Sequence, residues 1–303
     1  MADLLRHRPS GPRRLRRLLA ADLPVLAPGA YDALSARLVE QAGFDVVYMT
    51  GFGTSAGLLG RADVGLLGLA EMVDNVRRIV AAVDVPVIAD ADTGYGNPLN
   101  VVRTVQEYEQ AGVAGLHLED QVMPKRCGHM SGKAVVPAAE MVAKVEAAAA
   151  ARRDPDLVLI ARTDARAVEG VDAALERARA YREAGADVLF VEALEGEAEI
   201  ELVARELADV PLLFNWAEGG RTPPLPHDRL RELGYALVIM PLSTLLAATT
   251  AMRSALAAIR DAGTPGPILG DITGFDEFLD LIGLPEVRSL EARFGVPLPS
   301  DVA

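Results

Sequence analysis

Short apolar runs recur along this chain between longer stretches in which apolar residues fall at helical spacing, and two kinds of punctuation mark where each run begins. In the first, a helix-like segment ends in glycine and enters the run at once: Ala42-Gly43 before 44–48, Ala111-Gly112 before 113–118, Ala184-Gly185 before 187–191, and Leu233-Gly234 before 236–240. Glycine just past a helix accepts the left-handed conformation that stops it, so each pair predicts a helix-to-strand joint. In the second, Asp and Pro open the run: Asp22-Leu23-Pro24, Asp84-Val85-Pro86, Asp154-Pro155-Asp156 and Asp209-Val210-Pro211, followed by stretches such as Val87-Ile88-Ala89. The two signals alternate and predict eight strands.

The intervening stretches 70–83, 99–111, 138–152 and 171–184 are rich in Ala, Glu and Arg and predict helices. Near-continuous apolar strands alternating with helices imply a parallel sheet covered on its outer face. The expected fold is therefore α/β, a (β/α)8 TIM barrel, with an open doubly wound sheet as the alternative. Residues 1–262 would form the barrel with an N-terminal helical arm. Pro265, Gly266 and Pro267 would open a linker into a helical tail, 263–303, that packs on a neighbouring subunit.

Composition narrows the possible partners. Half of the 303 residues are hydrophobic, enough for a large core, and the formal net charge of -13 argues against a nucleic-acid partner. An anionic substrate would need a local positive site. The single cysteine rules out an internal disulfide framework and suits the cytoplasm. Arg6, Arg8, Arg13, Arg14, Arg16 and Arg17 are expected on an exposed first helix, since no secretory apolar stretch follows them. Segment 235–252 lacks charge, but Pro241, Ser243 and its threonines favour a buried strand and helix start over a membrane span.

In a barrel of this kind the informative residues are those where each apolar run stops. Here they are Asp90 and Asp92, Glu119 and Asp120, Arg162 to Asp164, Glu192, and Asn215. Asp90 and Asp92 would share one face of an extended strand, with Glu119 emerging beside them. Three converging carboxylates call for a cation, and oxygen-only ligands with room for water select Mg2+ or Mn2+. The alternative is that these acids cap helices or pair with Arg103 or Arg162. Arg162 and Asn215 would offer donors to a substrate carboxylate, unless Arg162 forms a structural pair with Glu192. Thr50-Gly51-Phe52-Gly53-Thr54 offers backbone amides to an anion.

Pro124-Lys125-Arg126-Cys127-Gly128-His129 carries the most reactive chemistry. The positive neighbours are expected to lower the thiol pKa. The surrounding loop, 121–136, has the composition of a segment that closes over substrate. Lys125, Lys133 and Lys144 are the only lysines, and none ends a predicted strand, which weighs against Schiff-base chemistry.

These residues resemble the isocitrate lyase and phosphoenolpyruvate mutase superfamily over nearly the whole chain. The resemblance runs from Pro28-Gly29-Ala30-Tyr31-Asp32-Ala33-Leu34-Ser35, through Asp-x-Asp, Glu119-Asp120-Gln121 and the Lys-Arg-Cys-Gly-His segment, to Pro241-Leu242-Ser243. It implies a Mg2+-dependent barrel, assembled as a homotetramer with exchanged helices. Asp90, Asp92 and Glu119 would hold the ion directly or through water, with Asp63 bonding its waters. Thr50, Gly51, Phe52, Gly128, Arg162 and Asn215 would bind substrate. Tyr48 would lie near the reacting oxygen, Glu192 in the pocket beside Lys125 and His129, and Cys127 would donate a proton.

Members with this cysteine loop are mostly carbon–carbon lyases. Leu246 stands where methylisocitrate lyases carry an arginine for an additional carboxylate. The segment from Asn215 to Pro223 looks more like that of 2,3-dimethylmalate lyases and carboxyphosphonoenolpyruvate phosphonomutases. The resemblance thus implies cleavage of a substituted malate. Phosphorus–carbon chemistry and oxaloacetate decarboxylation are the alternatives, with a non-catalytic carboxylate-binding barrel from outside the enzymes.

Overall fold

The four glycines expected to stop helices do so in left-handed backbone, with φ of 90° at Gly43, 89° at Gly112, 113° at Gly185 and 82° at Gly234. The fold is that of a computed structural model, which describes Leu5 and residues 10–130 and 132–296. Arg6, Arg8 and the last residues of the expected tail, 297–303, lie outside the described residues.

The first half of the chain runs α1 (Gly11–Leu19), β1 (Val25–Ala30), α2 (Ala33–Gln41), β2 (Val47–Met49), α3 (Gly51–Leu59), α4 (Leu69–Ala82), β3 (Val87–Asp90), α5 (Pro98–Ala111) and β4 (Gly115–Glu119). It continues with α6 (Ala138–Ala151), β5 (Val158–Thr163), α7 (Arg166–Glu169), α8 (Val171–Glu183), β6 (Val188–Val191), α9 (Glu197–Glu206), β7 (Leu212–Asn215), α10 (His227–Glu232) and β8 (Tyr235–Met240). The chain then forms α11 (Ser243–Ala262), a 3-10 turn at Gly266–Ile268, α12 (Phe275–Leu281) and α13 (Leu284–Phe294). All eight strands are parallel and close in chain order, β8 pairing with β1 from Val25 opposite Leu237 to Pro28 opposite Met240. The barrel therefore replaces the open-sheet alternative.

Successive strand side chains point to opposite sides, which separates two cores. Val158 and Ile160 of β5, Val188 and Phe190 of β6 and Ile88 of β3 fill the interior, whereas Leu159, Ala161, Leu189 and Ala89 pack outward against the helices. The expected exposed first helix is corrected at Leu15. This residue is fully buried in the interior cluster with Leu18 and Leu19 packed beside it, and Arg16 bonds the carbonyls of Pro155, Asp156 and Leu157. The four-arginine face is outward, but the apolar stripe of α1 joins the core.

Two compact units are distinguished, meeting between Leu245 and Leu246 within α11. The expected buried helix start after β8 is also corrected, because α11 contains no buried residue. In the C-terminal unit, Leu246, Met252, Leu256, Phe275 and Phe294 are all exposed. Among the described residues no helix is long and apolar enough to cross a membrane.

Candidate active site

The alternation that fills the barrel with Ile88, Ile160 and Phe190 carries on to the carboxyl end of each strand and turns chemically active side chains into the mouth. Asp90 follows Ile88, Arg162 follows Ile160, Glu192 follows Phe190 and Asn215 follows Leu213, each two residues on. Strand register sets the neighbours, with Asp90 opposite His117 and Glu119 opposite Arg162. Tyr48 shares the interior, its hydroxyl 2.8 Å from His117 Nε2. Tyr48, Asp90, Glu119, Arg162, Glu192 and Asn215 line one pocket together with Thr50, Phe52, Asp63 and the loop from Lys125 to His129, with His117 buried behind Tyr48.

Asp92 does not share a strand face with Asp90 as the sequence suggests. β3 ends at Asp90, and Asp92 turns into left-handed backbone at φ 48°, its amide donating to Asp90 Oδ1 at 2.9 Å. Aspartate tolerates this conformation better than most residues. The turn sends its carboxylate to Lys125, whose Nζ is 2.6 Å from Asp92 Oδ1 and 2.6 Å from Asp63 Oδ2. Burial pushes the lysine pKa down, but Asp92, Asp90, Glu119 and Asp63 together hold it well above the ordinary value.

Arg162 is the second cationic centre. It makes a fork on Asp164, with Nε to Oδ2 at 2.9 Å and Nη2 to Oδ1 at 3.1 Å, and Nη1 lies 3.2 Å from Glu119 Oε2. Glu192 Oε2 is 3.6 Å from the same nitrogen, so the structural pair weighed as an alternative is present. Arg103 instead pairs with Glu107 on the exposed face of α5. Burial opposes ionisation of Asp164, yet Arg162 and Lys133 bring its pKa down to about 2.

The acidic set was tested against the metal it was expected to hold. Burial, reinforced by Asp90 and Asp63 and opposed by Lys125, raises Asp92 to about 6. Burial also raises Glu119 well above its usual range, despite Arg162 and Lys125. Glu119 Oε1 is buried without a hydrogen-bond partner. Such crowded, under-satisfied oxygens suit a cation. Among the described residues no three acidic, histidine or cysteine side chains form a ready-made cage. Mg2+ characteristically takes one or two carboxylates and keeps waters for substrate to displace, and the residues fit that mode.

The end expected to bind a carboxylate is built on α3. Thr50 caps the helix, its Oγ1 accepting from the Gly53 amide at 3.2 Å, and helix geometry leaves the Gly51 and Phe52 amides without intrahelical acceptors. A Cβ at Gly51 would stand 2.3 Å from Asp90 Oδ2, so only glycine lets this helix approach the acid. Asn215 Nδ2 donates to Glu192 Oε2 at 3.0 Å, while its Oδ1 is buried without a partner. His129 Nδ1 accepts from the Arg221 amide at 3.0 Å, which places the ring proton on Nε2, facing Glu192 Oε1 at 3.2 Å. Burial, with Arg162 and Lys133, lowers the His129 pKa although Glu192 opposes it.

The cysteine loop lies over this mouth. Gln121 secures its approach by donating to the Arg126 carbonyl at 2.8 Å and accepting from the Arg126 amide at 2.9 Å. A Cβ on Gly128 would meet Arg162 Nη2 at 2.5 Å, so the loop backbone rests directly on the guanidinium. The expectation of a lowered Cys127 pKa is overturned. Burial dominates and raises it, the His129 amide and Arg162 offset this only in part, and Lys125 is engaged with Asp63 and Asp92. The thiol is thus protonated at neutral pH. Its alkylation by iodoacetamide should rise with pH to an inflection above that of a free cysteine, and an inflection near neutrality would contradict the burial argument.

His117, Asp164 and Lys133 were not assigned from the sequence. His117 precedes Glu119 by two positions and Asp164 follows Arg162 by two, so strand parity was the available signal. Lys133 had none, because its reach depends on how the loop folds back.

A family model described as phosphoenolpyruvate phosphomutase matches residues 15–260. The chain belongs to the phosphoenolpyruvate mutase/isocitrate lyase superfamily. It is an enzyme of that superfamily, and its relatives include lyases. The 2,3-dimethylmalate lyase of Eubacterium barkeri is 49% identical over 281 residues, which are 93% of this chain and 97% of that protein. A probable 2-methylisocitrate lyase of Corynebacterium glutamicum is 49% identical over 246 residues, 81% of this chain and 80% of that one. Among solved structures, oxaloacetate acetylhydrolase bound to 3,3-difluorooxalacetate superposes with a TM-score of 0.91 at 40% identity, covering 96% of this chain and 99% of the other. Phosphonopyruvate hydrolase in complex with oxalate and Mg2+ superposes with a TM-score of 0.86 at 32% identity, covering 94% and 99%. Superfamily relatives thus bind small carboxylates and Mg2+.

Proposed function

We propose that this protein is a Mg2+-dependent carbon–carbon lyase that cleaves a 2-hydroxy dicarboxylate of the dimethylmalate type to pyruvate and a second carboxylate. The observation that carries the reading is the place of Cys127, which lines the acidic mouth on a loop whose backbone rests on Arg162, with burial pushing its thiol pKa up. Similarity to dimethylmalate lyase across nearly the whole chain supports it.

The Gly51 and Phe52 amides, with Thr50, Arg162 and Asn215, would bind the carboxylate beside the hydroxyl-bearing carbon. Asp90, with Asp92, Glu119 and Asp63 acting directly or through water, would hold Mg2+ or Mn2+. When bound, the ion lowers the pKa of the substrate 2-hydroxyl. Tyr48 would lie near that oxygen, its hydroxyl oriented by His117. Glu192 would fix His129 and Asn215 around the substrate. A base would take the 2-hydroxyl proton, C2–O would become the pyruvate carbonyl as the C2–C3 bond breaks, the electron pair of that bond would pass to the departing carboxylate fragment, and Cys127 would give that fragment its proton. The cysteine loop, closed over the mouth with Gly128 on the guanidinium, would keep water from competing.

The test is to incubate the protein with Mg2+ and, separately, 2,3-dimethylmalate, 2-methylisocitrate and oxaloacetate while following pyruvate. The expected result is pyruvate from dimethylmalate that stops on chelation with EDTA. Pyruvate from oxaloacetate alone would mean decarboxylation. Silence from all three, with a new phosphorus–carbon resonance by phosphorus NMR from a carboxyphosphonoenolpyruvate-type substrate, would replace cleavage by phosphonate chemistry.

The exposed apolar residues of the C-terminal unit support assembly into a homotetramer through the tail, read by light scattering on a sizing column. The lone cysteine suits a cytoplasmic setting.

A further inference from the structure

The mechanism leaves Lys133 unused, a cation whose side chain lies beside the site. Lys133 sits at the far end of the cysteine loop, and its side chain is only 2% exposed while that of its partner Asp164 is fully buried. Its Nζ lies 2.7 Å from Asp164 Oδ1 and also donates to the Gly128 carbonyl, the peptide next to Cys127. Asp164 offers a fixed anchor. Beyond the Arg162 fork, its own amide donates to Asp120 Oδ1 at 2.9 Å, and Asp120 Oδ2 accepts from Thr163 at 2.7 Å and Tyr181 at 2.8 Å. An unbroken series of buried polar contacts therefore runs from helix α8 through the end of β5 to the backbone beside the thiol.

We propose that Lys133 is a positioning residue that holds the Cys127-Gly128 segment down on the mouth by tying the Gly128 carbonyl to Asp164. Neutralising Asp164 alone would not need it, because Arg162 already meets both carboxylate oxygens. The bond to the Gly128 carbonyl is what that simpler role leaves unexplained. A lysine suits the task, since its single ammonium can serve a carbonyl and a carboxylate at once. The tether sets how long the thiol stays within reach of a bound carboxylate fragment. That catalytic consequence rests on the proton-donor reading of Cys127, whereas the tether itself does not.

The chain has one cysteine, so iodoacetamide labelling followed by intact mass reports Cys127 alone. The rate is followed across neutral to mildly alkaline pH, with and without oxalate and Mg2+, and variants are compared at equal thiolate fraction read from each pH profile. Folded K133M should label about tenfold faster than the wild type, because losing the tether raises the open population. Oxalate with Mg2+ should slow labelling of the wild type but not of K133M, while K133R should stay near the wild-type rate. Folded K133M labelling within about twofold of the wild type would overturn the proposal, since local opening would then not depend on the tether. If circular dichroism shows K133M unfolded, K133Q removes the charge with a smaller change in packing and is judged by the same thresholds. Turnover retained by Cys127→Ser would sink the proton-donor reading and leave the labelling result standing, so the two failures are told apart.

Discussion

Cys127→Ser should lower kcat by about 10^2- to 10^4-fold, the range a positioned proton donor contributes, while the affinity for oxalate in the presence of Mg2+ changes little. The thiol is kept protonated by burial, and it is placed by a loop whose neighbouring peptide touches Arg162. Serine preserves the shape of the site but is a far weaker acid. Its loss should therefore appear in turnover and leave binding intact, the signature of an interaction made in the transition state. Steady-state kinetics with the substrate that yields pyruvate, together with oxalate titration, separates the two. Equal losses in both would assign Cys127 a packing role.

Arg162→Met should be the most damaging single change for binding. The guanidinium is 7% exposed and holds Asp164 by two hydrogen bonds while standing within 3.2 Å of Glu119 and 3.6 Å of Glu192. Removing it leaves several buried carboxylates uncompensated, at a cost of about 3–5 kcal/mol of stability, part of which proton uptake by Glu119 relieves. Oxalate affinity should fall about 30- to 1000-fold, the equivalent of losing one partner of a buried charge pair. Arg162→Lys should recover part of the stability by restoring charge, but little of the affinity, since an ammonium cannot make the planar fork. Urea denaturation and calorimetric titration measure the two effects. Wild-type affinity in Arg162→Met would place the carboxylate elsewhere.

The fold was largely legible because its signals are local. Glycine at 43, 112, 185 and 234 stops each helix by its own backbone preference, and Asp-Pro pairs open the other strands, so all eight positions could be read without knowing any contact. The ends of the apolar runs are also local signals, and they picked out Asp90, Glu119, Arg162, Glu192 and Asn215, which the structure brings to one pocket. The rest depended on contacts distant in sequence. Asp92 leaves the strand because the chain turns there, which its two-residue spacing from Asp90 does not disclose. The Cys127 thiol is governed by its burial and by the positions of Asp63 and Asp92, which hold the lysine that looked in sequence like its activator. Leu15 reads as part of a basic helix until the barrel interior supplies its neighbours. The outward apolar face of α11 shows that an uncharged stretch need not be buried within its own chain.

On the proposed mechanism the Gly51 and Phe52 amides, Arg162 and the acidic cluster act on one ligand through a shared divalent ion. Calorimetric titration of oxalate into the protein, with Mg2+ and then with EDTA, tests this most directly. Oxalate should bind tightly with Mg2+ and at least tenfold more weakly under EDTA, a difference of about 1.4 kcal/mol or more, and Asp90→Asn should abolish the difference. Equal affinity in the two conditions would contradict the account, because carboxylate binding would then owe nothing to an ion at this mouth.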